Sequence, residues 1–234
     1  MSVNTGILES TVSFPGSGTV PLSAYLVLPQ GEGPFPGIVV IHEAYGLNDN
    51  IRDVCKRFAN EGYVALGVDL FGEQNRIVCM ARLIGGLLLN SLDHRGIRDL
   101  KKALDYLTVQ PHVDATRIGA VGYCMGGGLA IAWACTDKRL KAIAPYYAAN
   151  PRPLEAVSRL CPVVGSYPDP DITTGAGRKL DEVLDKYDIP HDIKIYQGAA
   201  HSFFNDQRKN YNADAAQDSW QRVLSFFRTH IAHG

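Results

Sequence analysis

The chain has 234 residues, 46% apolar and 20% charged, with 23 basic and 24 acidic side chains and a net charge of −1. That length supports one domain with a full hydrophobic core, and the composition is that of a globular chain rather than a disordered one. Near-neutral charge without a Lys/Arg block excludes nucleic acid as an expected partner. The N-terminus, MSVNTGILES, lacks the basic region, apolar run and cleavage site of a signal peptide. The most apolar stretch, Ile77 to Leu92, carries Arg82 and is short for a bilayer span, so no membrane is expected. Five cysteines (Cys55, Cys79, Cys124, Cys135 and Cys161) form no CxxC pair, which points to reduced thiols and a cytoplasmic setting. Four of them are expected to fill core space; Cys124 is set apart below.

In chain order, runs from Leu8 to Phe14 and Leu22 to Leu28 flank the turn residues Gly16, Gly18 and Pro21 and predict an antiparallel hairpin. Gly37-Ile-Val-Val-Ile41 is a continuous apolar run, as in a strand covered by helices on both faces. A helix capped by Asn48 or Asp49 and reaching Glu61 follows, then a strand from Val64 to Val68. Residues 71–92 form the one long insertion, read as loop plus helix over the candidate site. Ile97, Leu100, Ala103, Leu104 and Leu107 make one stripe of a helix. Next come strand Arg117 to Gly122, helix Gly126 to Cys135, strand Leu140 to Pro145 and strand Cys161 to Gly165. Helix Gly177 to Tyr187, strand Asp192 to Tyr196 and helix Ala213 to Ala232 complete the chain, the last turning Ala216, Trp220, Val223, Leu224 and Phe227 inward. This alternation predicts an α/β fold with a doubly wound, mostly parallel sheet, in a single domain over residues 1–234.

The segment richest in chemistry is Gly122-Tyr-Cys124-Met-Gly126, between an apolar strand and a small-residue helix. It has the G-x-C-x-G spacing of a nucleophile elbow, with cysteine at the nucleophile position. A nucleophile on so tight a turn needs neighbours at minus two and plus two that are almost without side chain, and Gly122 and Gly126 meet that need. The turn sets the sulfur at a helix N-terminus, where free N–H groups favour a thiolate and an oxyanion; the Met125 N–H is the first expected donor.

A thiol nucleophile works with a histidine oriented by a third polar group. Of seven histidines, His201 follows a late strand and precedes a large helix, which suits the chain order nucleophile, acid, histidine. His42 reads as a core or loop residue, and His94, His112, His191, His230 and His233 as peripheral. The acid should lie between Cys124 and His201, and Asp169 and Asp171 both qualify on spacing. After the first buried strand, Val40-Ile-His-Glu-Ala-Tyr-Gly46 offers the Ala44 N–H as second oxyanion donor and Glu43 as a carboxylate facing the thiol.

His42-Glu43-Ala-Tyr-Gly46, Gly122-Tyr-Cys124-Met-Gly-Gly-Gly128 and Ala200-His201-Ser-Phe203 together resemble the dienelactone hydrolase (carboxymethylenebutenolidase) family of the α/β-hydrolase superfamily, over nearly the whole chain. The resemblance implies an α/β-hydrolase fold and a Cys–His–Asp triad that opens an enol-lactone ring, with a glutamate linked to the resting cysteine. By motif these roles fall on Cys124, His201, Asp171 and Glu43, and the segment before Gly177-Arg-Lys-Leu180 favours Asp171 over Asp169. The expected substrate is a small-molecule ester or lactone, with Arg82, Tyr45 and Phe203 as candidate contacts, no cofactor and no metal. The family's carboxylate-binding arginine after the histidine is missing: Phe204 and Asn205 stand there, and Arg208 is displaced. The insertion, with Cys79, Met80, Leu83, Ile84, Leu87, Leu88 and Leu89, is apolar enough for a hydrophobic substrate or for a packing or dimer surface, so the chain is expected as monomer or homodimer. Against the hydrolase stand a thiol redox or acyl-transfer protein using Cys124, which lacks a partner cysteine, and a non-catalytic binding protein on the same fold.

Overall fold

The computed structural model describes residues 6–72 and 76–232, with the Arg76 side chain excluded. Residues 1–5 of the leader reading, part of the 71–92 insertion, and His233 lie outside that description. Eight strands form one sheet: β1 (Leu8–Phe14), β2 (Leu22–Leu28), β3 (Phe35–Ile41), β4 (Val64–Asp69), β5 (Val113–Tyr123), β6 (Leu140–Tyr146), β7 (Val163–Asp169) and β8 (His191–Gln197). The helices are α1 (Asp49–Asn60), α2 (Arg76–Leu89), α3 (Arg95–Thr108), α4 (Met125–Ala134), α5 (Thr174–Lys186) and α6 (Ala213–Phe227).

The strand order is β1-β2-β4-β3-β5-β6-β7-β8. β1 and β2 pair as the antiparallel hairpin expected from their turn residues, β2 meets β4 antiparallel, and every pairing from β4 to β8 is parallel. The apolar run of β3 explains the layering. Val39 and Ile41 pack on one side with Leu100, Leu104, Leu129, Trp133 and Leu180 from α3, α4 and α5. Ile38 and Val40 pack on the other with Val54, Phe58, Trp220 and Phe227 from α1 and α6. Alternate residues of one strand therefore feed two cores, as a sheet sandwiched by helices requires.

Boundaries shift at several elements; β7, expected from Cys161 to Gly165, runs from Val163 to Asp169. β5 runs from Val113 and reaches Tyr123, while α4 begins at Met125, so only Cys124 separates strand from helix. α5 starts at Thr174 rather than Gly177, because the Thr174 hydroxyl ties back to the Pro168 carbonyl at 2.7 Å and stabilises an extra turn. The last helix remains α-helical to Phe227 and finishes in a π turn over Arg228–Ala232. Cys55, Cys79 and Cys135 are buried and Cys161 is half-buried against the core, none of them in a disulfide. No helix among the described residues is long and apolar enough to cross a membrane.

The chain moves from β3 outward to β4 and then returns to β5 on the other side of β3. That reversal opens a crevice at the C-terminal ends of β3 and β5, where an open α/β sheet places its ligands. The His42–Gly46 motif leaves the end of β3, and Cys124 leaves the end of β5.

Candidate active site

A Cβ on Gly122 would lie 2.1 Å from the Gly126 carbonyl oxygen, and one on Gly126 would lie 2.4 Å from the Ile41 oxygen and 2.6 Å from the His42 oxygen. All three contacts are with backbone, so the two glycines let the start of α4 sit directly on β5 and on the end of β3. Cys124 takes φ 53° and ψ −114°, a left-handed conformation that L-residues avoid. Its N–H donates to the Tyr146 carbonyl at 3.0 Å, and its own carbonyl accepts from Gly128 N at 3.1 Å, which holds the strained residue. Tyr147 (φ 38°) and Ser202 (φ 63°) are also left-handed, so three such residues gather at one edge of the sheet.

His201 stands on the loop after β8. Its Nδ1 is 3.2 Å from both carboxylate oxygens of Asp171. Interaction with Cys124 is the largest cause that pushes the His201 pKa up to about 9; burial opposes the rise, and Asp171 adds to it. Burial raises Asp171, but hydrogen bonds from the Thr173 hydroxyl (2.5 Å) and N–H (2.8 Å), with His201, hold it below the usual carboxylate value. Asp169 faces elsewhere: its Oδ2 accepts from Arg178 and Gln197, each at 2.9 Å. Of the two acids that spacing allows, Asp171 is the one that meets the histidine.

Glu43 is 2% exposed. Its Oε1 accepts from the Tyr147 hydroxyl at 2.9 Å and its Oε2 from Asn205 Nδ2 at 3.0 Å. Burial and the Glu43 charge push the Tyr147 phenol well above its ordinary pKa, so it remains a donor. The Tyr147 ring also packs on His201, with centroids 5.0 Å apart. Tyr147 thus joins the carboxylate to the histidine, a role the motifs did not reveal. Its position two residues beyond a buried strand, on the same edge as Cys124, is the signal that could have found it. Asn205 was noted only for standing where an arginine was expected; the structure gives it to Glu43.

The turn bearing Ala44 is closed by Gly46 N donating to the Glu43 carbonyl at 3.2 Å, with Gly46 at φ 79°. Tyr45 is 39% exposed, and the Arg208 guanidinium lies 3.5 Å from its ring centroid. Phe203, expected as a substrate contact, is fully buried beneath Tyr147 and beside Tyr146 and Tyr196. Arg82 is on the exposed side of α2, beside a crevice of about 20 Å³ lined by Leu70, Cys79, Leu83, Arg95 and Asp99. α2 itself packs toward α4, where the Leu87 side chain approaches Gly128, and turns Ile77, Val78, Ile84, Leu88 and Leu89 to the outside.

The sequence profile of the dienelactone hydrolase family matches residues 22–231. A Saccharolobus solfataricus protein provisionally named carboxymethylenebutenolidase is 33% identical, with 94% of this chain and 98% of that protein aligned. A Klebsiella pneumoniae crystal structure provisionally named a dienelactone hydrolase superposes with a TM-score of 0.81 at 27% identity, over 94% of this chain and 98% of that one. A dienelactone-hydrolase-like promiscuous phosphotriesterase from metagenomic libraries shares the fold, with a TM-score of 0.85 at 23% identity over 96% of this chain and 99% of its own. By sequence and by fold, the chain belongs to the dienelactone hydrolase family of α/β-hydrolases.

Proposed function

We propose that this chain is a cysteine-dependent hydrolase that opens lactones or cleaves activated carboxylic esters through a thioester on Cys124. The observation that carries the reading is Cys124 on its left-handed turn at the end of β5, together with a His201 whose Nδ1 meets Asp171 and whose pKa Cys124 pushes up to about 9. His201 takes the Cys124 proton as base and becomes charged, and the resulting thiolate is the nucleophile. The thiolate adds to the carbonyl carbon, and the Met125 and Ala44 N–H groups take the oxyanion. Collapse breaks the carbon–oxygen bond and forms the thioester. An alkoxide takes the His201 proton as it leaves; an enolate leaves as the anion and takes that proton afterwards, so His201 is neutral in either case. Neutral His201, oriented by Asp171, next removes a proton from water; the hydroxide adds to the thioester, the thiolate leaves and takes a proton back from His201, and the carboxylic acid loses its proton to solvent.

Glu43, held by Tyr147 and Asn205, is assigned to receive the thiol proton when Cys124 turns away from His201. Tyr45 is assigned to substrate contact. Phe203 acts only through Tyr147, and Arg82, grouped with Arg95 and Asp99, is left out of the site. Mass spectrometry after mixing with p-nitrophenyl esters and dienelactone tests the proposal. An acyl adduct on Cys124 is the expected result, and turnover persisting in Cys124→Ala would overturn it.

A further inference from the structure

We infer that His42 is a positioning residue for the oxyanion hole, acting through the Glu43–Ala44 peptide rather than by touching substrate. The inference rests on the acyl-transfer reading above, which assigns the Ala44 N–H to the oxyanion.

His42 is fully buried at the end of β3. Its Nε2 lies 3.1 Å from the Leu70 backbone N–H, which can only donate, so Nε2 is the unprotonated nitrogen. The ring proton therefore sits on Nδ1, and Nδ1 donates to the Glu43 carbonyl oxygen at 2.6 Å. Gly46 N donates to the same oxygen at 3.2 Å. That carbonyl and the Ala44 N–H belong to one planar trans peptide and point in opposite directions. Two donors that draw the oxygen inward consequently aim the N–H outward, toward the crevice beside Cys124. They also polarise the amide and strengthen its N–H as a donor.

The surroundings make His42 a clamp between three elements. Its ring packs on Phe71 with centroids 4.7 Å apart, and its Nε2 is 4.0 Å from Asp69 Oδ1, which itself accepts from the N–H groups of Phe71 and Gly72. Its backbone carbonyl abuts Gly126, the second residue of α4, so the same residue touches the helix that carries the Met125 donor. Glu43 is fixed at both ends, its carbonyl by His42 and its carboxylate by Tyr147 and Asn205. The two proposed oxyanion donors are thereby referenced to a single buried imidazole.

The test separates oxyanion chemistry from thiol chemistry. Acylation of Cys124 by a p-nitrophenyl ester forms a tetrahedral oxyanion; alkylation by iodoacetamide displaces iodide directly and forms none. His42→Phe keeps the ring and its packing but removes both nitrogens. It is expected to slow acylation about 10- to 100-fold, at little change in KM, while Cys124 alkylation keeps the wild-type rate. His42→Asn places an amide donor where Nδ1 was and is expected to recover most of the acylation rate. His42→Gln places its amide near Nε2 instead and is expected not to, so the Asn/Gln pair decides the matter even if the Phe variant fails to fold. Wild-type acylation in His42→Phe, parallel loss of both reactions, or equal rates for Asn and Gln would overturn the inference. A wild-type protein that is alkylated at Cys124 but forms no acyl adduct there would instead overturn the acyl-transfer reading.

Discussion

Gly126→Ala isolates the contact on which the elbow depends. The added methyl would sit 2.4 Å from the Ile41 oxygen and 2.6 Å from the His42 oxygen, both fixed in backbone. Ordinary van der Waals contact begins near 3.4 Å, so the start of α4 must retreat from β3 by about 1 Å. β3 cannot yield readily, since β4 and β5 are paired to its two sides. Overpacking of this kind costs about 1–3 kcal/mol, against which the helix gains at most about 1 kcal/mol from replacing glycine. The net expectation is a loss of about 1–2 kcal/mol, read as a lower urea midpoint at unchanged slope. Activity should suffer more: a 1 Å retreat separates the Met125 N–H from the Ala44 N–H, and misplacement on that scale costs about 100-fold in kcat. Gly175→Ala is the matched control, a glycine in the first turn of α5 whose added methyl meets nothing within 4 Å. It should leave kcat/KM unchanged and stability equal or slightly higher. A Gly126→Ala enzyme within about 0.5 kcal/mol and twofold of wild type would refute the close-approach argument.

The two acids of the β7 turn should separate cleanly. Asp171→Asn removes the carboxylate that orients the His201 ring and is expected to lower kcat by about 10²–10⁴, whereas Asp169→Asn, which loses only its Arg178 and Gln197 contacts, should keep turnover within a few-fold. The pH profile follows from His201, raised from 6.5 to about 9 with Cys124 as the largest cause. A protonated His201 is the form that can donate to the leaving group, so kcat/KM on alkyl esters should fall as pH rises through about 9. In Cys124→Ala the main cause is gone, and NMR titration should show the His201 pKa below 9; an unchanged value would break the proposed pairing.

The chemistry was legible wherever it is enforced by local backbone. Gly122, Cys124 and Gly126 lie within five residues of chain, a spacing that alone demands a strained turn, and the structure shows the backbone contacts that make each glycine necessary. The parallel sheet was legible for a similar reason, since the apolar run of β3 has no other use than burial on two faces. Where a side chain points depends on distant partners, and spacing is silent there. Asp169 and Asp171 lie two residues apart; one is claimed by Arg178 and Gln197, the other by Thr173 and His201. Tyr147 and Glu43 meet across 104 residues of chain.

The substrate region shows the same limit in a sharper form. A helix is phased from sequence by the contrast between an apolar and a polar face, and α2 offers almost none. Cys79 and Leu83 are buried on one side, while Ile77, Val78, Leu88 and Leu89 are exposed on the other, so nothing in the residue types says which side faces the protein. That rotation decides whether Arg82 reaches the crevice beside Cys124 or, as found, the one shared with Arg95 and Asp99. The elbow chemistry is written in backbone constraints that survive any choice of substrate. The helix beside it is fixed only by packing, which is why the shape of the elbow could be read from the residues and the rotation of α2 could not.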